Sequence, residues 1–158
     1  MKIYLGLLLF LITNVFLCQN NSFRPNKTLD DSVFKKGDRI KIPEIEFGTQ
    51  NLNLSVSLAP VVTFLNKHKN LYVEISNYTE SEYGEDVDME FSVSRAIFTR
   101  DYLVKNQGVD PNRIKPRGYG SKYPINTGRE IAKAKTKEEK NKLLKQNNRT
   151  ELKVIEIK

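Results

Sequence analysis

The sequence predicts an α/β fold, an α+β sandwich of order β-α-β-α-β-(α)-β with its helices packed on one mixed sheet. Three observations carry that expectation. Apolar and polar residues alternate over residues 40–47 and again over residues 151–157, the period of two that marks a half-buried strand. Leu58, Val61, Val62 and Leu65 fall at i, i+3, i+4 and i+7, one face of a helix. Strand and helix signals then take turns along the chain, as in folds that lay helices on a sheet.

Taken in order, residues 40–47 (IKIPEIEF) form the first strand and residues 48–51 (GTQN) a loop. Ser57 is a plausible N-cap for the first helix, which places Pro60 in the first turn, where a missing N–H costs little. Asn70 closes that helix, and residues 71–75 (LYVEI) form the second strand. Residues 80–86 are an acidic loop. Residues 88–106 read as the second helix, with acids at its positive end and Gly108 beyond its end. Residues 114–119 form a third strand, residues 136–146 a short basic helix, and residues 151–157 the closing strand.

The 158 residues leave room for one ordinary domain. A content of 28% charged and 39% apolar residues excludes a coiled coil or a disordered tail. One Cys excludes an intrachain disulfide framework, and one His, His68, argues against a His-based triad or a His-rich metal site. The formal net charge of +7 suggests an anionic partner, but its distribution is uneven. Residues 71–90 hold seven acids and no base, while residues 111–158 carry a net +9. The lysines of residues 133–145 read as a solvated face, with general attraction to an anionic polymer or membrane surface as the functional alternative.

Residues 1–18 read as a signal peptide: Lys2, then a nearly unbroken apolar run to Leu17. The run is short for a membrane span, which needs about 20 apolar residues. The expectation is an exported protein. Cys18 has two readings, a lipidation site or part of the cleavage region. The bulky Phe16 and Leu17 before it tilt the balance to the second. Residues 19–39 read as a polar linker or N-terminal arm and residues 40–158 as the domain. The Asn-x-Ser/Thr triplets are read as chance matches in an Asn-rich chain.

Two charged groups stand out for chemistry. Glu80 follows the second strand and Arg95 lies in the second helix, so both can face one cleft at the strand's C-terminal edge. A carboxylate and a guanidinium held together match a zwitterion, the one taking an ammonium and the other a carboxylate. Spacing alone fits equally well a simple ion pair or two solvated groups. No nucleophile or metal set accompanies Glu80, so the expectation is no enzyme, no cofactor and no metal.

The ordered set of residues 73–80 (VEISNYTE), Gly84, Asp88, Phe91-Ser92, Arg95-Ala96, Tyr102-Leu103, Gly108-Val109, Arg113-Ile114 and Gly118-Tyr119-Gly120 resembles the OmpA-like C-terminal domain. Residues 147–151 (NNRTE) are similar to that family's closing motif, and residues 131–146 resemble the insertion of its longer form, as in cell-envelope proteins of the Bacteroidetes type. The resemblance covers about residues 40–158. It implies non-covalent peptidoglycan binding, with the family's Asp and Arg gripping the diaminopimelate of the stem peptide. By position, Glu80 replaces that Asp, Arg95 is retained, Thr79 matches the preceding Thr, and Asp88 stands where the family has Asn. Gly48 stands where an Asp is frequent, and Asn148 where the closing motif has its first Arg. Glu for Asp keeps the charge on a longer stem. Asp88 adds a negative charge and removes an amide donor. The resemblance therefore implies a binding module of the periplasm or outer membrane. Its expected partners are peptidoglycan and outer-membrane or envelope proteins. No nucleic acid is expected, and the membrane only through a lipid on Cys18. The alternative is a protein-interaction scaffold of an outer-membrane assembly with a degenerate pocket.

Overall fold

The computed structural model describes residues 23–47, 53–80 and 83–158. The apolar leader read in residues 1–18, Cys18 and Gly48 lie outside them.

Four strands form one mixed sheet: β1 (Arg39–Lys41), β2 (Leu71–Tyr78), β3 (Ile114–Gly118) and β4 (Arg149–Ile157), in the order β1-β4-β2-β3. β4 runs antiparallel to both neighbours, while β2 and β3 are parallel and joined through a helix. The helices are α1 (Leu54–Lys67), α2 (Glu85–Lys105), the short α3 (Gly128–Ile131) and α4 (Lys137–Asn147). The predicted order is observed, with α3 as an addition.

Register assigns the two faces of the sheet. Ile40 pairs with Leu152, Leu152 with Ile75, and Val73 with both Val154 and Ile114. These residues share one core with Leu58, Val61, Phe64 and Leu65 of α1 and with Ala96 and Leu103 of α2. Each large apolar side chain fully buried there contributes about 1.5–3 kcal/mol. On the opposite face, Glu74 pairs with Lys153 and Lys153 with Arg39, while Ser76 pairs with Glu151 and Tyr78 with Arg149.

The first strand ends sooner than the alternation predicts. Ile40 and Ile42 are in phase, but Ile45 and Phe47 fall on the other parity, and Pro43 between them has no N–H for a ladder. The chain leaves the sheet after Lys41, and Ile42 and Ile45 turn into the core instead. α1 begins one turn before the expected start. Asn53, not Ser57, is its N-cap and accepts from the Val56 N–H at 3.3 Å. Pro60 therefore lies inside the helix, on its exposed side, where water can serve the carbonyl that lacks a partner. α2 also begins a turn early, at Glu85, and places three acids at its positive end.

The inward stripe of α2 is small and polar: Asp88, Ser92, Ala96, Thr99 and Leu103. Such a face lets the helix lie close on β3. A Cβ on Gly118 would meet the Val93 nitrogen at 2.3 Å and the Ser92 carbonyl carbon at 2.7 Å. Ser92 Oγ accepts from the Gly120 N–H at 2.8 Å and donates to the Met89 carbonyl, which seals the contact.

Arg113 is buried and does more than shape the turn before β3. Its guanidinium donates to the carbonyls of Leu71, Leu65 and His68, joining the end of α1 to the start of β2. His68 is half-buried, packed against Phe34 and Phe64. Burial, then the neighbouring Lys67, lowers its pKa below the ordinary 6.5. The fold thus favours neutral His68. That contribution is present above pH 6.5 and is lost as pH falls through the lowered value. An NMR titration of this single imidazole should give a midpoint below 6.5, and a midpoint above it would contradict the packing.

Residues 23–38 lie on the domain. Lys27 bridges to Ile40, Asn26 and Asp38 are hydrogen bonded at 3.0 Å, and Leu29 and Phe34 pack on the core. At the other end, Asn126 and Asn147 exchange two hydrogen bonds, of 2.8 and 2.9 Å, that fasten α4 to the segment after β3.

Candidate functional site

The end of β2 is zipped to the segment after β3. Tyr119 donates its N–H to the Asn77 carbonyl at 2.9 Å, and Thr79 donates its N–H to the Gly120 carbonyl at 3.0 Å. Glu80 emerges directly beyond this clamp and is half-buried. Across from it, Arg95 lies about three turns into α2, one turn deeper than the sequence suggests, because the helix starts earlier.

Arg95 is held on three sides. Its Nη1 donates to Asn148 Oδ1 at 2.7 Å. Its guanidinium carbon lies 5.2 Å from the Phe47 ring centre and 5.9 Å from that of Phe91. The side chain is half-buried, and this desolvation pushes its pKa down while the charge of Glu80 opposes the shift. The charge of Glu80 thus acts on Arg95, which fits a simple ion pair as well as the zwitterion reading. The guanidinium is oriented before any ligand arrives, so less freedom is lost on binding.

Thr79 and Asp88 stand differently. Both are buried, at 6% and 1% exposure. The Thr79 hydroxyl donates to the Asp88 backbone carbonyl at 3.3 Å, so it links the end of β2 to the start of α2. Asp88 Oδ1 accepts from the Tyr83 N–H at 3.5 Å, and Oδ2 meets no donor among the described residues. An unserved carboxylate oxygen is costly in an interior. Glu85 at the same helix end is paired with Lys122 at 3.0 Å.

Sequence reasoning missed three members of this arrangement. Asn148 registered only as a departure from a motif, yet its amide oxygen is what fixes Arg95. Phe47 reads as a strand residue and Phe91 only as a piece of the family motif. Phe91 is exposed and Phe47 partly so, and a Phe four residues before an Arg on one helix is the signal that could have found the first. Tyr83 packs edge-on against Phe91, with ring centres 5.9 Å apart, and widens the aromatic rim.

A second cluster lies on the face of the sheet opposite the shared core. Glu151 takes Arg39 Nε at 2.9 Å and also Arg149 Nε, and both guanidinium groups lie over Tyr78. Arg149 also donates to the carbonyls of Asn147, Phe23 and Tyr123. Burial lowers its pKa, opposed by Glu151. Beside them Tyr119 stacks on Tyr78 and donates to Glu74 at 2.7 Å. Burial, then that carboxylate, raises its pKa to about 12.

Several known proteins are similar to this chain, and the first of those below shares its fold. The periplasmic domain of Helicobacter pylori MotB is 19% identical, with a TM-score of 0.55 over 77% of this chain and 83% of that one. The OmpA-like domain of FopA1 from Francisella tularensis is 19% identical, with a TM-score of 0.49 over 80% and 85% of the two chains. A curated relative, the probable lipoprotein YiaD of Escherichia coli K12, is 32% identical over 101 residues, which are 60% of this chain. The match spans about half of that relative's length, 46%. The OmpA family model matches residues 46–142, a stretch that runs from the last residues before α1, through Glu80 and Arg95, into α4, and the chain belongs to the OmpA family.

Proposed function

We propose that this domain binds peptidoglycan non-covalently and anchors the outer membrane or an envelope complex to the cell wall, without catalysis. Glu80 takes the ammonium of a diaminopimelate and Arg95 takes a carboxylate. Thr79 and Asp88 hold the loop between them, and Asp88 adds attraction for the ammonium. The observation that carries the reading is Arg95 itself, half-buried, fixed by Asn148 and two aromatic rings, and within the field of Glu80. OmpA-family membership supports a place in the cell envelope, and the periplasm or outer membrane with envelope-protein partners is our finer reading.

The test is co-sedimentation with purified diaminopimelate-type sacculi. Wild-type protein should pellet, and Arg95→Ala should weaken binding by about 2–5 kcal/mol, more than tenfold. Equal and poor sedimentation of both proteins would remove the wall-binding reading.

One observation favours a second reading, a protein-interaction scaffold. α2 exposes Val87, Phe91, Val93, Ile97 and Phe98, each at 39–48%. Strong sedimentation abolished by both Glu80→Ala and Arg95→Ala would exclude the scaffold as the main role.

A further inference from the structure

A cleft of about 470 Å³ lies beside Arg95, between residues 24–25, the segment after β1, and α4. It shares two walls with the Arg95 site, because Phe47 and Asn148 line it and also hold the guanidinium. A ligand at Glu80 and Arg95 therefore has this cleft as its neighbouring space. Its size is that of a small-molecule or peptide pocket.

The charges in the cleft are not balanced. Glu44 is neutralised by Lys145 at 3.1 Å, and Glu151 by Arg39 and Arg149. Lys41 on β1 and Lys142 on α4 also line it, both are exposed, and neither has an ion-pair partner among the described residues. At its floor Asn77, 1% exposed, keeps an amide oxygen that has no donor among the described residues, while its Nδ2 donates to Thr150. An occupant suited to this lining carries carboxylates and at least one N–H.

We propose that the cleft is a second subsite, which takes the carboxylate-bearing peptide flanking the diamino acid held at Glu80 and Arg95. Lys41 and Lys142 select for free carboxylates there. This rests on the peptidoglycan reading above. α4 supplies Lys142, so the basic insertion becomes part of the recognition surface and not only a solvated face.

The test measures dissociation constants for three soluble probes by NMR titration of the full chain. They are free meso-diaminopimelate, the tetrapeptide L-Ala-γ-D-Glu-meso-diaminopimelate-D-Ala, and the same tetrapeptide with its D-Glu and D-Ala carboxylates amidated. Wild type should bind the free-acid tetrapeptide about tenfold more tightly than the amidated one, the scale of two exposed charge contacts. The double variant Lys41→Gln/Lys142→Gln should erase that difference and leave free diaminopimelate binding unchanged. Added salt should shrink the wild-type difference. The charge-reversed Lys41→Glu/Lys142→Glu pair should invert it, with the amidated tetrapeptide binding more tightly. Equal wild-type affinity for the two tetrapeptides would overturn the second subsite and leave the peptidoglycan reading standing. So would a loss of diaminopimelate binding in the lysine variants equal to the loss of tetrapeptide binding. Failure of wild type to bind any of the three at millimolar concentration would overturn both.

Discussion

Gly118→Ala should destabilise the domain by at least about 3 kcal/mol, at or beyond the upper end of what overpacking usually costs. The added Cβ would stand 2.3 Å from the Val93 nitrogen, 2.4 Å from Ser92 Oγ and 2.7 Å from the Ser92 carbonyl carbon. Two of those three atoms are backbone of α2, so a side-chain rotation cannot relieve the clash. The helix must move off β3. That movement breaks the Ser92 hydrogen bond to the Gly120 N–H, and with it the seat of the segment that clamps Thr79. Loss of stability and loss of ligand affinity are therefore expected together. Urea unfolding at neutral pH measures the first. A midpoint within about 0.5 kcal/mol of wild type, the range of a neutral surface change, would show that α2 is not seated as described.

Glu151→Gln should cost about 3–5 kcal/mol, the usual result of removing one partner from a buried charge cluster. Glu151 is 1% exposed and receives both Arg39 and Arg149. The substitution keeps shape and volume but leaves the buried Arg39 and the half-buried Arg149 guanidinium groups together over Tyr78 without the carboxylate that both of them bind. Arg39 already has one buried nitrogen without a partner among the described residues, so there is little spare capacity to absorb the change. Thermal or urea unfolding checks the figure. Combining the change with Arg39→Met should recover part of the loss, because one uncompensated charge leaves with it. A single Glu151→Gln variant as stable as wild type would mean that the cluster is solvated.

Much of this architecture was legible in the chain because strand and helix periods differ. The order of strands and long helices follows from the alternation at residues 40–42 and 151–157 and from the face of α1 around Leu58 and Leu65. The errors sit where local chemistry competes. Asn53 and Ser57 are both good caps, and only the burial of Leu54 decides between them. Residues 76–78 read as polar, yet they continue β2 through the centre of the sheet, because Ser76 and Asn77 find side-chain partners in Glu74 and Thr150. Glu80 and Arg95 could be named from the chain, since opposite charges across a strand–loop–helix turn suggest a cleft. Asn148 could not be assigned its part, since it lies 53 residues from Arg95 and only the insertion and β4 carry it there.

The Arg149 contacts have a mechanical side. Arg149 grips the Phe23 carbonyl, whose ring is stacked on Tyr123, and the next residue along, Asn148, grips Arg95. A load on Phe23 and a load on Arg95 would therefore meet at two adjacent residues at the root of β4, while the backbone bonds of Asn26 and Lys27 to Arg39 would share the load with β1.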